Sequence, residues 1–165
     1  MEETKLAPFV FISYSWEDEF HNSWVRKLAE DLVANGVEVR LDQWENKYGD
    51  DIPRFMDESG RTADRVLCIL TPTYCEKANN LLGGVGYEYR NMTAVMFYNV
   101  KTNKFIPVLR KGTFDISFPT ALSGRMALDM RCDKEYEDKL KSLLREIFNE
   151  PPYPKPKLGP RPKFD

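Results

Sequence analysis

The apolar run FVFISYS at residues 9–15 predicts the first strand of this protein. It follows a proline and ends in small polar residues, and its consecutive apolar side chains are typical of a strand buried on both faces of a parallel sheet. We assign this strand to residues 8–14. Four further strand-like segments follow along the chain, at residues 37–41, 66–70, 105–109 and 126–130.

Helical patterns separate these strands. Apolar residues spaced by three and four predict a helix that ends at Gly36 and a last helix over residues 134–149, with a shorter helix at 52–59. The residues between, 42–51, are polar and predict a loop. The inward faces are predicted to consist of Trp24, Val25, Leu28, Leu32 and Val33 in the first helix, and of Tyr136, Leu140, Leu143, Leu144, Ile147 and Phe148 in the last.

Alternating strands and helices predict an α/β fold with a five-stranded parallel sheet, right-handed crossovers and helices on both faces. The common order for five such strands is 2-1-3-4-5. Its switch point lies between strands one and three, where ligands bind outside the carboxyl ends of the strands. The segments expected at that point start with SYSW at residues 13–16 and TPTY at residues 71–74.

Glu88 lies where a helix is expected to show an apolar side chain. The pattern after GGVG at residues 83–86 predicts a helix over residues 85–99, whose inward stripe consists of Val85, Met92, Val95 and Met96 and also includes Glu88. A carboxylate held toward a core or cleft is paired, protonated or functional. The alternative is a first-turn residue that complements the helix dipole, which contributes about 0.3–1 kcal/mol. The segment that follows strand three leads to Glu88 and independently places it at the mouth of the cleft.

Composition excludes several classes of function. The chain carries 24 basic and 26 acidic residues, so no charge excess favours nucleic acid or an anionic membrane as a partner. No apolar run approaches the roughly 18–20 residues that a membrane span needs. The first residues also lack the basic start and apolar stretch of a signal peptide.

The cysteines and the one histidine exclude further chemistry. Three scattered cysteines, Cys68, Cys75 and Cys132, and a single histidine, His21, supply too few ligands for a zinc site. His21 lies in a polar stretch, so we expect it at the surface rather than in catalysis. We therefore predict no metal and no cofactor, and a reducing, cytoplasmic setting for the free thiols.

The end of the chain has a different composition from the rest. Residues 151–165 interleave prolines with Lys and Arg, which is typical of a semi-rigid linker. We therefore expect a domain over residues 1–150 and a proline-rich linker over residues 151–165 that leads to a missing C-terminal domain. A disordered natural terminus is the alternative.

Four motifs, in order, resemble a known family. FVFISYS at residues 9–15 resembles the opening strand of TIR (Toll/interleukin-1 receptor) domains. TPTY at residues 71–74 and GGVGYE at residues 83–88 are similar to the bacterial TIR branch that shades into SEFIR domains. VEVRLD at residues 37–42, followed by a loop with Gly49 and Asp50, resembles the second strand and the BB loop. The resemblance covers roughly residues 8–148.

The resemblance implies a flavodoxin-like fold and an NAD⁺ glycohydrolase, as in many bacterial and plant members. The family's catalytic carboxylate is a Glu early in the helix after the third strand, and Glu88 matches it. Tyr14, Ser15 and Trp16 match positions that line the nucleotide cleft. One carboxylate suffices for this chemistry, because the transition state is oxocarbenium-like and the cationic nicotinamide needs no general acid in order to leave.

Other substrate contacts follow from the resemblance less directly. Trp44 either stacks on a base or a nicotinamide ring, or plugs the end of the core. Asp42 either binds ribose hydroxyls or caps the loop. Animal members often carry a Trp four residues before the catalytic Glu, whereas this chain has Gly84. We therefore expect nicotinamide stacking from Tyr87, Trp16 or Trp44.

The leading functional prediction is an NAD⁺-cleaving TIR effector of bacterial antiphage defence, activated by self-assembly. Its expected partners are NAD⁺, other TIR domains through a BB loop at roughly residues 44–52, and a fused C-terminal sensor such as STING or SAVED, with no nucleic acid and no membrane. A non-catalytic TIR or SEFIR scaffold and an NAD⁺ cyclase that makes a signalling nucleotide stay open as alternatives. A flavin-binding protein or a response regulator is a more remote one.

Overall fold

A computed structural model describes residues 6–80 and 103–165 of the chain. Its five parallel strands are ordered β2-β1-β3-β4-β5, which confirms the predicted fold class and strand order. β1 and β3 are direct neighbours, with Val10 opposite Arg65 and Ser13 opposite Cys68. The strands are β1 (Phe9–Ser13), β2 (Glu38–Arg40), β3 (Arg65–Leu70), β4 (Phe105–Leu109) and β5 (Leu128–Asp129).

Helices connect the strands and lie on both faces of the sheet. The loop predicted at residues 42–51 begins with a helical turn, in which the Trp44 amide donates to the Leu41 carbonyl over 3.0 Å. The helix predicted around Glu88 lies outside the described residues. The described helices are α1 (Glu19–Ala34), α2 (Asp42–Glu45), α3 (Ile52–Thr62), α4 (Pro72–Asn80), α5 (Phe114–Ser117) and α6 (Tyr136–Ile147).

Two hydrophobic cores lie on opposite faces of the sheet. Side chains alternate along β1, so Val10 and Ile12 belong to the core with α1 and α6, whereas Phe11 belongs to the core with α3 and α4. Each fully buried apolar side chain of this size contributes about 1.5–3 kcal/mol to folding. Because both faces are covered by helices, the loops at the carboxyl ends of the strands are left to form a site.

Some predicted details of the elements are wrong. The fifth strand is only two residues long, because β4 pairs with it only at Leu128 and Asp129, and Met126 is 95% exposed. Phe148, predicted to face inward, follows the end of α6 and is 42% exposed. Val33 is also exposed, because its neighbour Leu32 takes the inward position on α1.

The proline-rich segment at residues 151–165 is exposed and contains neither helix nor strand. Its role as a linker stays a prediction. Within residues 6–80 and 103–165, no helix is long and apolar enough to cross a bilayer.

Gly112, just after β4, is predicted to tolerate substitution less well than Gly49, although both have left-handed backbone. Its φ is +78°, and a Cβ there would clash with Ser117 Oγ and lie 2.9 Å from Pro72 Cγ. Gly49 has a φ of +95° with nothing within 4 Å. We expect Gly112→Ala to lower the free energy of unfolding by about 1–3 kcal/mol more than Gly49→Ala, because both strain the backbone but only Gly112→Ala overpacks a contact. Urea unfolding measures this difference, and equal losses would contradict the proposed clash.

Candidate active site

The segments that follow β1 and β3 meet at one edge of the sheet. The Ser13 hydroxyl, at the end of β1, is hydrogen-bonded to the Tyr74 hydroxyl of α4 over 2.9 Å. Asp18 caps α1, since its carboxylate accepts from the His21 amide over 2.8 Å. The start of α1 and the start of α4 are therefore fixed next to each other at the predicted switch point.

Three of the predicted site residues, Tyr14, Trp16 and Asp42, form one hydrogen-bonded group together with Gln43, which we call the Asp42 cluster. Asp42, the first residue of α2, accepts from the Tyr14 hydroxyl at Oδ1 over 2.7 Å and from Trp16 Nε1 at Oδ2 over 2.6 Å. The Tyr14 and Trp16 rings are stacked at 6.3 Å between centroids. Gln43 Nε2 donates to the Tyr14 oxygen over 2.9 Å.

The Asp42 cluster fixes Trp16 while leaving its ring accessible. Burial, and then the hydrogen bond and charge of Asp42, raise the pKa of Tyr14, so its phenol stays protonated and acts as a donor. Trp16 is 58% exposed although its N–H is bound. An indole held in this way presents a rigid aromatic face to a ligand.

The other predicted site residues have different surroundings. Ser15 is fully buried, and its hydroxyl donates to Glu17 Oε2 over 2.8 Å. It therefore stabilises the loop between β1 and α1 from within. Trp44 is 41% exposed, which does not fit a residue that plugs the core. Glu88 and Tyr87 lie outside the described residues.

A second polar group, the Glu17 network, was not predicted from the sequence. It consists of Ser15, Glu17, His21 and Thr71. Glu17 Oε2 also accepts from the Thr71 hydroxyl over 3.0 Å and lies 3.2 Å from His21 Nε2. The available signal was the spacing of Glu17 and His21, which at i and i+4 share one side of a helix start.

The prediction that His21 lies at the surface is wrong. It belongs to the first turn of α1, its ring lies 6.3 Å from that of Tyr14, and it is only 1% exposed. Burial, the largest cause, lowers the pKa of His21, the charge of Glu17 opposes this, and Lys111 and Arg110 lower it further. His21 is therefore neutral at pH 7. Neither of its ring nitrogens has a partner with hydrogen-bond geometry among the described residues.

Two other kinds of chemistry concern the Cys68 thiol and the candidate metal ligands among the described residues. Burial raises the pKa of the Cys68 thiol to about 12, so it does not form a thiolate near neutral pH. In the described ranges, no three His, Cys, Asp or Glu side chains are grouped so that they could hold a metal ion.

The hydrogen bond between Tyr14 and Asp42 is predicted to stabilise the fold measurably. Asp42→Ala leaves the buried Tyr14 hydroxyl without its acceptor, whereas in a Tyr14→Phe background no such donor remains. We expect a coupling free energy of about 0.5–3 kcal/mol from urea unfolding of the four proteins. Tyr153→Phe, in the exposed tail, is the matched control and should show no coupling to Asp42→Ala. Coupling of the same size in the control would contradict the assignment.

His21 is predicted to make stability depend on pH. Its pKa in the folded chain lies below the ordinary value of 6.5, so the unfolded chain takes up the proton first as pH falls. The contribution of His21 to the free energy of unfolding is therefore fully present above about pH 6.5 and is lost as the pH falls below that value. We expect the stability advantage of the wild type over His21→Gln to shrink from pH 7.5 to pH 5 in urea titrations. A constant difference would contradict a buried neutral imidazole.

Comparison with known proteins agrees with the fold. A family model described as TIR domain matches residues 10–144. The chain is 32% identical over 130 residues to the 2′ cyclic ADP-D-ribose synthase BtTIR of Bacteroides thetaiotaomicron, an alignment that covers 78% of this chain and 42% of that relative. The chain therefore spans less than half the length of this curated relative.

Solved structures show the same architecture. A prokaryotic SEFIR domain superposes with a TM-score of 0.76 at 40% identity, over 93% of this chain and all of the other. The TIR domain of the Toll-related receptor TRR-2 from Hydra magnipapillata superposes with a TM-score of 0.60 at 15% identity, over 85% of this chain and 98% of the other, and shows the fold alone. Since the family model spans most of the chain, this protein belongs to the TIR domain family.

Proposed function

We propose that the chain cleaves the bond between ribose and nicotinamide in NAD⁺. The observation that carries this proposal is the Asp42 cluster, in which an exposed indole is fixed by a carboxylate at the carboxyl edge of the sheet. A rigid aromatic face suits a planar nucleotide ring, and the switch point of such a sheet is where nucleotides bind. The relative named as a cyclic ADP-ribose synthase supports a substrate of this class.

Glu88 is proposed as the catalytic carboxylate. The nicotinamide ring of NAD⁺ is already cationic and leaves as a neutral molecule with the bonding electron pair, so the step needs no proton donor. The ribosyl carbon is left with oxocarbenium character, which a nearby carboxylate stabilises. Oxygen then attacks that carbon and releases its proton.

The described residues are proposed to bind and orient the substrate. Trp16 stacks on a ring of the nucleotide, and Asp42 holds the indole in place while Tyr14 fills the space beneath it. Ser15 does not contact the substrate in this proposal; its hydrogen bond to Glu17 holds the loop that carries Trp16. Trp44 and Tyr87 are proposed as further stacking residues.

The attacking oxygen decides the product. Water gives ADP-ribose, and the chain is then an NAD⁺ glycohydrolase, whereas a ribose hydroxyl of the same molecule gives a cyclic product. The 32% identical relative is a 2′ cyclic ADP-D-ribose synthase by name, which favours the cyclase as the second candidate. Both reactions use the same bond cleavage, so both need Glu88.

Self-assembly through the loop at residues 44–52 is proposed to control the activity. This loop exposes three large apolar side chains, Trp44, Tyr48 and Ile52. Its tip is a turn closed by the Asp50 amide, which donates to the Lys47 carbonyl over 3.0 Å. An exposed apolar loop of defined shape is suited to contact with a second copy of the domain.

We predict that the domain releases nicotinamide from NAD⁺ at high concentration or on a multivalent scaffold, and that Glu88→Gln abolishes the release. Trp16→Ala should raise KM for NAD⁺, because it removes the stacking face. Mass spectrometry of the products measures both effects and identifies the co-product as ADP-ribose or its cyclic form.

Two variants serve as controls for this experiment. Glu30→Gln changes an exposed glutamate in the middle of α1, and Phe20→Ala removes an exposed aromatic side chain in its first turn. Neither should affect the reaction. Folded wild-type protein that leaves NAD⁺ intact even on the scaffold would favour the non-catalytic interaction module instead.

A further inference from the structure

We propose that Glu17, backed by the buried His21, is a positioning residue of the cleft. It fixes the loop that carries Trp16 against the loops that follow β3 and β4, and it thereby sets how well the cleft holds its nucleotide. The effect on catalysis rests on the proposed function, whereas the effect on Trp16 does not.

Glu17 is the point at which three loops of the carboxyl edge meet. Its Oε2 accepts from Ser15 in the loop after β1 and from Thr71 in the loop after β3, over 2.8 Å and 3.0 Å. Its Oε1 lies 3.9 Å from Lys111 Nζ, just after β4. The Glu17 side chain is only 15% exposed, so water competes little for these contacts.

His21 supports Glu17 from the side of the core. Its Nε2 lies 3.2 Å from Glu17 Oε2, and its ring is buried against Tyr14 with centroids 6.3 Å apart. Neither ring nitrogen makes a hydrogen bond among the described residues, so the Glu17 carboxylate, 3.2 Å from Nε2, is the polar group that lies beside this buried imidazole. Movement of Glu17 away from α1 would leave the buried imidazole without this polar neighbour.

Trp16 lies between two anchored residues. Ser15 and Glu17 are held on the side of Thr71, whereas the Trp16 indole is held on the opposite side by Asp42. Loss of the Glu17 carboxylate removes the acceptor of the Ser15 and Thr71 hydroxyls and leaves between them only their own 3.4 Å contact. The backbone on both sides of Trp16 is then held less firmly, and the indole loses its fixed orientation toward the ligand. We expect this loss to appear as weaker binding rather than as slower chemistry, because Glu17 does not touch the reacting atoms.

NMR tests the structural part without any need for enzyme activity. His21 is the only histidine, so its imidazole gives a single set of signals. The groups that act on it are Glu17 and Asp18 beside α1 and Lys111 and Arg110 after β4. Since the charge of Glu17 raises the pKa of His21, we expect this pKa to fall further in Glu17→Gln.

The Trp16 indole N–H signal is the decisive readout. The chain has three tryptophans, and the Trp16 signal is the one of their three indole N–H signals that disappears in Trp16→Phe. We expect it to shift and to exchange faster with solvent in Glu17→Gln. Glu19→Gln, an exposed change in the first turn of the same helix, is the matched control and should alter neither Trp16 nor His21. An unchanged Trp16 signal in folded Glu17→Gln would overturn the proposal, even if His21 responds.

Steady-state kinetics on the scaffold test the functional part. We expect Glu17→Gln to raise KM for NAD⁺ about tenfold with kcat changed less than about threefold, and Glu19→Gln to match the wild type. A lower kcat at unchanged KM would contradict a positioning role. If the wild type cleaves no NAD⁺, the proposed function fails, but the Trp16 signal still decides whether Glu17 positions the loop.

Discussion

The parallel pairing of β1 with β3 is the constraint on which the rest of the structure depends. It places Ser13 opposite Cys68, so the segments after both strands leave the sheet side by side. The chain then returns through α1 and β2 on the other side of β1, which delivers Asp42 to the same edge. The loop after β1 is thus flanked by Asp42 on one side and by Thr71 on the other. The contacts of this loop with Asp42 and with Thr71 both follow from the strand order rather than from any local feature of the loop.

Alternation along that loop separates two tasks. Tyr14 and Trp16 are hydrogen-bonded to Asp42, whereas Ser15 and Glu17 are hydrogen-bonded toward Thr71. Successive side chains of an extended chain point to opposite sides, so four consecutive residues serve two neighbours without conflict. One side of the loop presents an aromatic face to solvent, and the other fastens the loop to the core. The carboxylates of Asp42 and Glu17 therefore fix the loop after β1 from opposite sides.

The fold and part of the candidate site were predictable because local sequence patterns indicate them. The apolar run at residues 9–15 and the helical spacings that follow predict alternating strands and helices, and the common order of such a sheet then places Tyr14 and Trp16 at the switch point. Asp42 was predicted from the resemblance to TIR domains. Glu17 and His21 were not predictable in this way. Their neighbours in the sequence are polar, which predicts a surface position. Glu17 is instead held by Thr71, which lies 54 residues away along the chain. The length of β5 likewise depends on the extent of its pairing with β4.

Holding the exposed indole of Trp16 in one orientation costs conformational entropy, which is consistent with the binding role proposed for this residue. Holding a largely exposed side chain in one conformation loses rotamer entropy and gains little from burial. Its hydrogen bond to a charged acceptor contributes about 1.5–3 kcal/mol and offsets that loss. A ligand that stacks on the ring then meets a surface already ordered, and the free energy of ordering does not subtract from its affinity. The Asp42 cluster and the Glu17 network act together. The first holds the Trp16 side chain and the second holds the backbone on either side of it, and a rigid aromatic face requires both.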